Sequence, residues 1–145
     1  MAAMRFAKTI EVPSDPETAF AYVADFANAH LWDPGVVASR RVDDGPIGVG
    51  SQFELVATFR GREQQFLYTV TAFEAPRRIE LTGEGAKARS IDTVEFSPSA
   101  SGTAIAYHAV IQLKGARRIA EPFLAGTFAK MGEDALAGLT RALTA

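Results

Sequence analysis

The C-terminal segment, residues 116–145, carries one long apolar stripe that limits what the chain can fold into. The members of the stripe recur every three or four positions, whereas the charged residues of the segment fall mostly off that line. The stripe consists of Leu124, Phe128, Met131, Ala135, Leu139 and Ala142. We predict an amphipathic helix from Pro122 onward, about 33 Å long at 1.5 Å per residue, with the proline in its first turn.

A helix of this length needs a broad apolar surface to lie on, and the preceding chain supplies that surface as strands. Alternating apolar residues and regularly spaced turn residues predict strands at 5–12, 36–43, 52–59, 65–74, 79–82, 90–96 and 103–113. Short loops join the last six of these strands in succession. We therefore expect antiparallel neighbours, since parallel pairs need long crossover connections.

Two short helices are predicted between the first and second strands. Ser14 or Asp15 can cap the first helix, and Pro16 suits its first turn. The second helix should end near Trp32, before the turn sequence Asp33-Pro34-Gly35. The resulting order of strand, two helices, six strands and one long helix predicts an α+β fold, with a single domain over residues 1–145.

Composition excludes several classes of protein. Apolar residues make up 48% and charged residues 22% of the 145 residues, a balance typical of globular proteins. The net charge of −2 argues against a nucleic-acid partner, because phosphate binding normally requires a basic face. The chain has no cysteine, which fits a reducing compartment. No segment resembles a signal peptide or a membrane span, so we expect a cytoplasmic protein without stable membrane insertion.

Motifs for metal, phosphate or nucleophilic chemistry are missing from the sequence. The glycine-rich segment 45–50 is not followed by Gly-Lys-Ser/Thr or by a helix, so it is interpreted as a loop between strands that can also act as a lid. His30 and His108 have no ligand-spaced partner, and His108 should face solvent. No serine lies in a Gly-x-Ser-x-Gly elbow. We expect no metal and no cofactor.

Acid–base chemistry has four candidate residues. The strand pattern places Asp92, Tyr68 and Tyr107 among apolar neighbours, where burial raises the pKa of a carboxyl and a phenol can donate to a ligand carbonyl. His30 lies between the predicted short helices, where it can line a cleft. In the alternative interpretation Asp92 has its carboxyl in water, the tyrosines belong to the core or its rim, and His30 has a packing or surface role.

The order of elements and a set of turn, cap and core residues resemble the helix-grip superfamily. This is the SRPBCC group, which includes START lipid-transfer domains, birch-pollen-allergen-like proteins and polyketide cyclase/dehydratase-like proteins. The residues that carry the resemblance are Ile10-Glu11-Val12-Pro13, Pro16-Glu17-Thr18-Ala19-Phe20, Asp25-Phe26-Ala27-Asn28, Leu31-Trp32-Asp33-Pro34, Gly48-Val49-Gly50-Ser51, Tyr68, Pro76-Arg77-Arg78, Phe96-Ser97-Pro98, Gly102-Thr103 and the closing helix. The resemblance implies a curved seven-stranded antiparallel sheet wrapped around the long helix, with a cavity between them.

The same resemblance implies which residues face that cavity. They are Trp32, Val37, Phe53, Leu55, Phe66, Tyr68, Leu81, Asp92, Val94, Tyr107, Ala109, Phe123, Thr127 and Met131. The N-terminal half of the helix should close one wall, while Leu136, Leu139 and Leu143 should pack as solid core. A dry void of about 300 Å³ costs several kcal/mol at roughly 24 cal/mol per Å³. The space is therefore either kept for use or filled by the ten phenylalanines and the tryptophan.

Three functions follow as hypotheses. The first is binding, with transport or sequestration, of a small hydrophobic molecule such as a lipid or a polyketide-like aromatic. The second is an enzyme resembling polyketide cyclases or dehydratases that uses the four acid–base candidates. The third is a protein-interaction module that works through the outer face of the sheet. In each case we expect a monomer or a weak homodimer.

Overall fold

The structure of the protein is a computed structural model that describes residues 3–144. Short 3₁₀ segments at Phe26–Asn28 and Gly115–Ala120 precede the second and third helices. The elements are β1 (Met4–Val12), α1 (Pro16–Ala24), α2 (Ala29–Trp32), β2 (Val36–Arg41), β3 (Gln52–Phe59), β4 (Arg62–Glu74), β5 (Arg78–Gly85), β6 (Ala88–Ser99), β7 (Gly102–Leu113) and α3 (Glu121–Ala142).

All seven strands form one antiparallel sheet in the order β1-β7-β6-β5-β4-β3-β2. Strands β2 to β7 follow one another as hairpins, and β1 joins the sheet beside β7. Helix α3 packs against β1 and α2. This arrangement confirms the predicted α+β helix-grip fold, with two short helices between the first two strands.

Local sequence accounts for the first helix and for its attachment to the last one. The Asp15 carboxylate accepts the backbone N–H of Thr18 at 2.7 Å, so Asp15 is the cap, and Pro16 occupies the first turn. Ser14, the other capping candidate, instead donates its hydroxyl to the Leu143 carbonyl at 2.9 Å. The start of α1 is thereby tied to the end of α3.

The strands are longer than the sequence pattern predicted, because tight hairpins extend the pairing. Phe59 pairs with Arg62, and the two residues between them, Arg60 and Gly61, have positive φ angles of 52° and 79°. Positive φ at both central positions is the geometry of a type I′ turn. Likewise, β5 extends to Gly85 and β6 begins at Ala88, although the sequence pattern predicted a loop between residues 82 and 90.

Two glycines let α3 approach its supports closely. A methyl group at Gly138 would lie 1.8 Å from the carbonyl oxygen of Trp32 at the end of α2. A methyl group at Gly132 would lie 2.6 Å from the ring of Phe6 on β1. Both distances are far below van der Waals contact, so the helix can occupy this position only because side chains are absent there.

We predict opposite effects for two glycine-to-alanine substitutions in α3. Gly138→Ala should lower the free energy of unfolding by about 1 to 3 kcal/mol, because the new methyl group overlaps the Trp32 carbonyl. Gly126→Ala should raise it by about 0.5 to 1 kcal/mol, because nothing lies within 4 Å of the added methyl and alanine favours helix. Urea denaturation measures both. Equal effects of the two substitutions would contradict the close approach of α3 to α2.

Candidate functional site

A cavity of about 340 Å³ lies between the inner face of the sheet and the part of α3 from Leu124 to Leu136. Its walls are mostly apolar side chains from alternating strand positions and from one face of the helix. The strand residues are Met4, Phe6, Val36, Leu55, Ala57, Phe59, Gln64, Phe66, Tyr68, Ala88, Ser90, Asp92, Tyr107, Ala109, Ile111 and Leu113, and the residues of α3 are Leu124, Phe128, Met131, Gly132, Ala135 and Leu136.

The cavity ends at the same level on neighbouring strands. Along β6 the lining stops at Asp92, and the next residue on that face, Val94, is fully buried. Along β4 it stops at Tyr68, and Val70 is fully buried. These stopping points form the floor of the cavity. Beyond the floor, the space between the sheet and the helices is filled by closely packed apolar side chains.

Strand β5 contributes no side chain to the upper wall, because its inward positions there are glycines. A methyl group at Gly83 would lie 2.5 Å from the ring of Tyr68, and one at Gly85 would lie 2.9 Å from the ring of Phe66. The two rings therefore lie across the bare backbone of β5. The glycines make room for the aromatic rings that shape this side of the cavity.

A hydrogen-bonded cluster forms the polar part of the floor. The Tyr107 hydroxyl donates to Asp92 Oδ2 at 2.5 Å, and the Ser90 hydroxyl donates to Asp92 Oδ1 at 2.9 Å. Register pairs Asp92 with Ala109 of β7 and with Leu81 of β5, so the carboxyl lies in the middle of the sheet. Its side chain is buried and accepts one hydrogen bond on each oxygen.

Burial controls the protonation of this cluster. Desolvation raises the pKa of the Asp92 carboxyl, although the hydrogen bonds from Tyr107 and Ser90 oppose that shift. Desolvation, together with the charge of Asp92, also raises the pKa of the Tyr107 and Tyr68 phenols. Both tyrosines therefore remain hydrogen-bond donors at neutral pH.

A second carboxyl, Asp33, lines the cavity from the segment after α2. Its Oδ1 accepts the backbone N–H of Gly35 at 2.8 Å. Desolvation is the largest cause that raises the pKa of Asp33 to about 6, and the charges of Asp92 and Asp134 add to it. The cavity therefore holds two carboxyl groups whose charges interact.

The mouth of the cavity lies at the opposite end from this floor. Phe59 and Gln64 flank the tip of the β3–β4 hairpin, Lys87 lies in the turn between β5 and β6, and Arg117 lies in the 3₁₀ segment before α3. The side chains of Lys87 and Arg117 are exposed. The cavity thus runs from a mouth that carries cations to a floor that carries carboxyl and hydroxyl groups.

The structure brings together part of the predicted cavity-facing set. The predicted residues that line the cavity are Leu55, Phe66, Tyr68, Asp92, Tyr107, Ala109 and Met131. Asp92, Tyr68 and Tyr107, three of the four acid–base candidates, lie next to one another at the floor. Their functional roles stay predictions.

Four other predicted residues are buried but lie outside the cavity lining, in the packed core. They are Trp32, Phe53, Leu81 and Val94. The Trp32 ring packs edge-on against Tyr107, with ring centroids 6.2 Å apart. The strand pattern correctly predicted which face is buried, but it could not predict how far along each strand the cavity extends.

The prediction that Phe123 and Thr127 face the cavity is wrong. Both are exposed, and Leu124 and Phe128 line the wall in their place. The family resemblance led to Phe123 and Thr127, eight and four positions before Met131, whereas the second arrangement, Leu124 and Phe128, belongs to the apolar stripe that periodicity alone predicts. The close contact of Gly132 with Phe6 accompanies the second arrangement.

The prediction that Val37 faces the cavity is also wrong, whereas His30, predicted to line a cleft or to lie at the surface, lines a separate surface pocket. Val37 is 53% exposed on the edge strand β2, at an irregularity in the pairing with β3 between Val36, which lines the cavity, and Ala38. His30 is exposed and places its Nδ1 2.7 Å from the Ser39 hydroxyl. His108 faces solvent, as predicted.

Two polar residues of the site were missed by the sequence analysis. Ser90 begins a predicted strand, and its position two residues before Asp92 places both on one face, which is a signal that could have found it. Asp33 was interpreted only as a turn residue. Its hydrogen bond to Gly35 confirms the turn, and its burial was not visible in the sequence.

Within residues 3–144, no group of three or more histidine, aspartate or glutamate side chains is arranged to hold a metal ion. In the same part of the chain, no helix has both the length and the apolar character needed to cross a bilayer.

A family model described as "Polyketide cyclase / dehydrase and lipid transport" matches residues 3–144. Comparison with curated proteins gives no match.

Solved structures with the same fold have low sequence identity to this chain. A START superfamily protein from Mycobacterium smegmatis superimposes with a TM-score of 0.79 at 18% identity, covering 97% of each chain. The ZhuI aromatase/cyclase from Streptomyces sp. R1128 gives 0.81 at 11% identity, covering 98% of this chain and 94% of its own. A protein from Thermus thermophilus gives 0.80 at 18% identity, covering 98% of this chain and 97% of its own. At these identities the similarity shows the fold alone.

We predict that Asp33 makes stability fall as pH rises. Because its pKa is about 6 in the folded protein and near 3.8 when unfolded, the folded state binds the extra proton between these values. The free energy of unfolding should therefore fall by about 2 to 3 kcal/mol between about pH 4 and pH 6 and then level off.

Asp33→Asn should lack this contribution while keeping the acceptor for the Gly35 N–H. Chemical denaturation across the pH range measures the difference between the variant and the wild type. Asp92 shifts stability in the same direction, and because its charge interacts with that of Asp33, the difference between the two proteins also includes this interaction. The exposed control Asp44→Asn should follow the wild-type curve; an unchanged pH profile for Asp33→Asn would show that Asp33 does not titrate in this way.

Proposed function

The chain belongs to the polyketide cyclase/dehydrase and lipid transport family, and from this premise we propose that it binds a small hydrophobic molecule in the cavity beneath α3. The observation that carries the proposal is an apolar cavity of about 340 Å³ that ends at a buried polar cluster. Ligand sites in proteins span about 300 to 1,000 Å³ and combine apolar walls with a few placed polar groups. The cavity matches this description near its lower limit of size.

The polar groups favour one orientation of the ligand. The floor offers a phenol donor from Tyr68, an acceptor at the Tyr107 oxygen, whose proton is bonded to Asp92, and carboxyl groups from Asp92 and Asp33, which together suit a hydroxyl or carbonyl group. A carboxylate at the floor would be repelled by Asp92 and would leave water without gaining a cation. Lys87 and Arg117 at the mouth instead suit an acidic group. We propose a ligand with a neutral oxygen at its inner end.

Catalysis is the second candidate function, because three acid–base candidates meet at the floor. Tyr107 donates to Asp92 at 2.5 Å, so a ligand oxygen that hydrogen-bonds to either member of this pair would be within reach of proton transfer. Such a pair fits the aldol cyclisation or water loss of a polyketide-like substrate. His30 takes no part in this proposal, since it lies on the surface near Ser39.

The interaction-module hypothesis has less support. Leu67 is the one large apolar side chain of the central strands β3 to β7 that is exposed among the described residues, at 38%. The outer face of the sheet therefore lacks the extended apolar patch that a stable protein interface of this kind requires. We also propose a cytoplasmic location and a monomeric or weakly dimeric state, which the cysteine-free composition and this polar outer face fit.

We predict that filling the cavity abolishes binding. Ala109→Phe places a ring into the space above the floor, and Ala106→Phe places the same ring on the outer face of the same strand. Native mass spectrometry and displacement of an environment-sensitive apolar dye by a panel of lipids and polycyclic aromatics measure binding. Wild type and Ala106→Phe should bind at least about tenfold more tightly than Ala109→Phe. Equal binding by all three proteins would contradict a ligand site in this cavity.

For the catalytic hypothesis, we predict that the rate of cyclisation depends on Asp92 and Tyr107 at the floor of the cavity. In a cell-free assay with a linear poly-β-ketone thioester, Asp92→Asn and Tyr107→Phe should each lower the rate of cyclisation by about 10² or more, because general acid–base groups contribute 10² to 10⁴. His30→Gln serves as the control and should leave the rate unchanged. Unaltered cyclisation after both floor substitutions would exclude these residues as catalytic groups and leave binding as the function.

A further inference from the structure

Charge is distributed unevenly over the chain, and the positive excess lies at the mouth of the cavity. Three segments surround the mouth: 60–63 at the β3–β4 tip, 84–89 at the β5–β6 turn, and 113–121 before α3. Together they contain seven lysines and arginines against three acids. The rest of the chain contains eight basic residues against fourteen acidic ones. The mouth is therefore a basic region on an acidic protein.

Several cations of this region have no acidic partner in the described part of the chain. Arg60, Arg62, Lys87 and Arg117 are exposed and take part in none of the ion pairs within residues 3–144. Arginines away from the mouth mostly do pair: Arg40 with Glu54, Arg41 with Asp43, Arg77 with Glu74 and Arg78 with Glu74, Glu80 and Glu95. The unpaired charges at the mouth are available to an external anion.

Two large apolar side chains project from the same region. Phe123 is 82% exposed in the first turn of α3, and Ile119 is 77% exposed in the 3₁₀ segment before it. Each is next in sequence to a residue that lines the cavity, Leu124 and Ala120 respectively. They are the two most exposed large hydrophobic residues of the described chain. The rim therefore combines projecting apolar groups with unpaired cations.

We propose that this rim docks on the surface of an anionic lipid bilayer, with the mouth of the cavity facing the membrane. Exposed apolar side chains on a basic surface enter the boundary between headgroups and acyl chains, while lysine and arginine attract anionic headgroups. The three rim segments surround the mouth, so docking brings the opening of the cavity against the acyl chains. An apolar ligand then passes between bilayer and cavity with little exposure to water.

An acidic protein is the other partner that a basic rim attracts, but the rim fits it less well. The two exposed apolar side chains project singly, Ile119 from the 3₁₀ segment and Phe123 from the first turn of α3, and the residues between them and around them are mostly polar, charged or small. Insertion of single side chains into a fluid interface needs no complementary pocket, whereas a protein partner needs one. This inference goes beyond ligand binding, because it concerns a surface that acts before any ligand is present.

Vesicle co-sedimentation of the full chain, without added ligand, tests the docking surface. The probe is phosphatidylcholine vesicles with or without about one-third phosphatidylserine. We expect binding to the anionic vesicles that falls as salt rises, and little binding to phosphatidylcholine alone. Phe123→Ser and the double variant Arg62→Gln/Lys87→Gln should each weaken partitioning by about tenfold.

The controls are one exposed apolar side chain and one exposed cation that lie away from the mouth. Val49→Ser removes an apolar side chain that is 70% exposed in the loop between β2 and β3. Arg141→Gln removes a cation at the far end of α3 that is likewise in no ion pair of the described residues. Both should bind vesicles like wild type. In solution, Phe123→Ser should still bind the apolar dye, since Phe123 does not line the cavity.

Several results would overturn the proposal. One is the absence of binding to anionic vesicles by wild-type protein that still binds the dye. Docking would then have failed while the proposed ligand binding stands. Another is an equal loss of vesicle binding in Val49→Ser and Phe123→Ser. A third is salt-sensitive binding to an acidic protein with no vesicle binding, which would assign the rim to a protein partner.

Discussion

The contact between Gly138 and the Trp32 carbonyl fixes the position of the long helix, on which the rest of the fold depends. Because no side chain separates the two backbones there, the C-terminal half of α3 lies directly on α2 and on the packed core. Leu139 and Leu143 fill the space beneath this half and are buried, as predicted, whereas Leu136, predicted as solid core, is buried but lines the cavity. The N-terminal half extends from this anchor over the open part of the sheet. One end of the helix therefore holds the fold together, while the other end roofs a cavity.

This division has an energetic consequence for the apolar core. At about 24 cal/mol per Å³, a dry and empty cavity of 340 Å³ costs roughly 8 kcal/mol, comparable to the whole stability of many domains. The close packing of Phe20 against Phe73 and Phe96, with ring centroids 5.4 and 5.3 Å apart, contributes stability on the other side of the floor. A bound apolar molecule would recover part of the missing contacts, so stability and ligand binding should be linked.

The fold was predictable from the sequence because its signals are local. Alternation along the strands, the cap at Asp15 and the break at Asp33-Pro34-Gly35 each depend on neighbouring residues, and the structure confirms all three. The candidate site was predictable only in part. Tyr68, Asp92 and Tyr107 were found because strand alternation gives the correct face. Phe123 was assigned to the cavity from the family resemblance, although helix periodicity had already placed Leu124 on the apolar stripe, and the structure agrees with the periodicity.

The depth of the cavity is a different kind of property, which no local pattern encodes. Whether Leu55 lines a void and Phe53 lies in solid core depends on how high α3 stands above each point of the sheet. That height is set by residues distant in sequence, at the anchor on α2. A sequence pattern therefore identifies the inner face of the sheet but leaves the extent of the cavity open.

The glycines of β5 allow the size of the cavity to change through substitutions at residues that do not themselves line it. Tyr68 and Phe66 lie flat because Gly83 and Gly85 offer no side chain beneath them. A single methyl group at either glycine would lift the ring above it into the cavity and narrow the space without introducing any new group that touches the ligand. Substitutions at Gly83 or Gly85, behind the aromatic rings, can therefore change selectivity for ligand size while the polar floor and the rim stay unchanged.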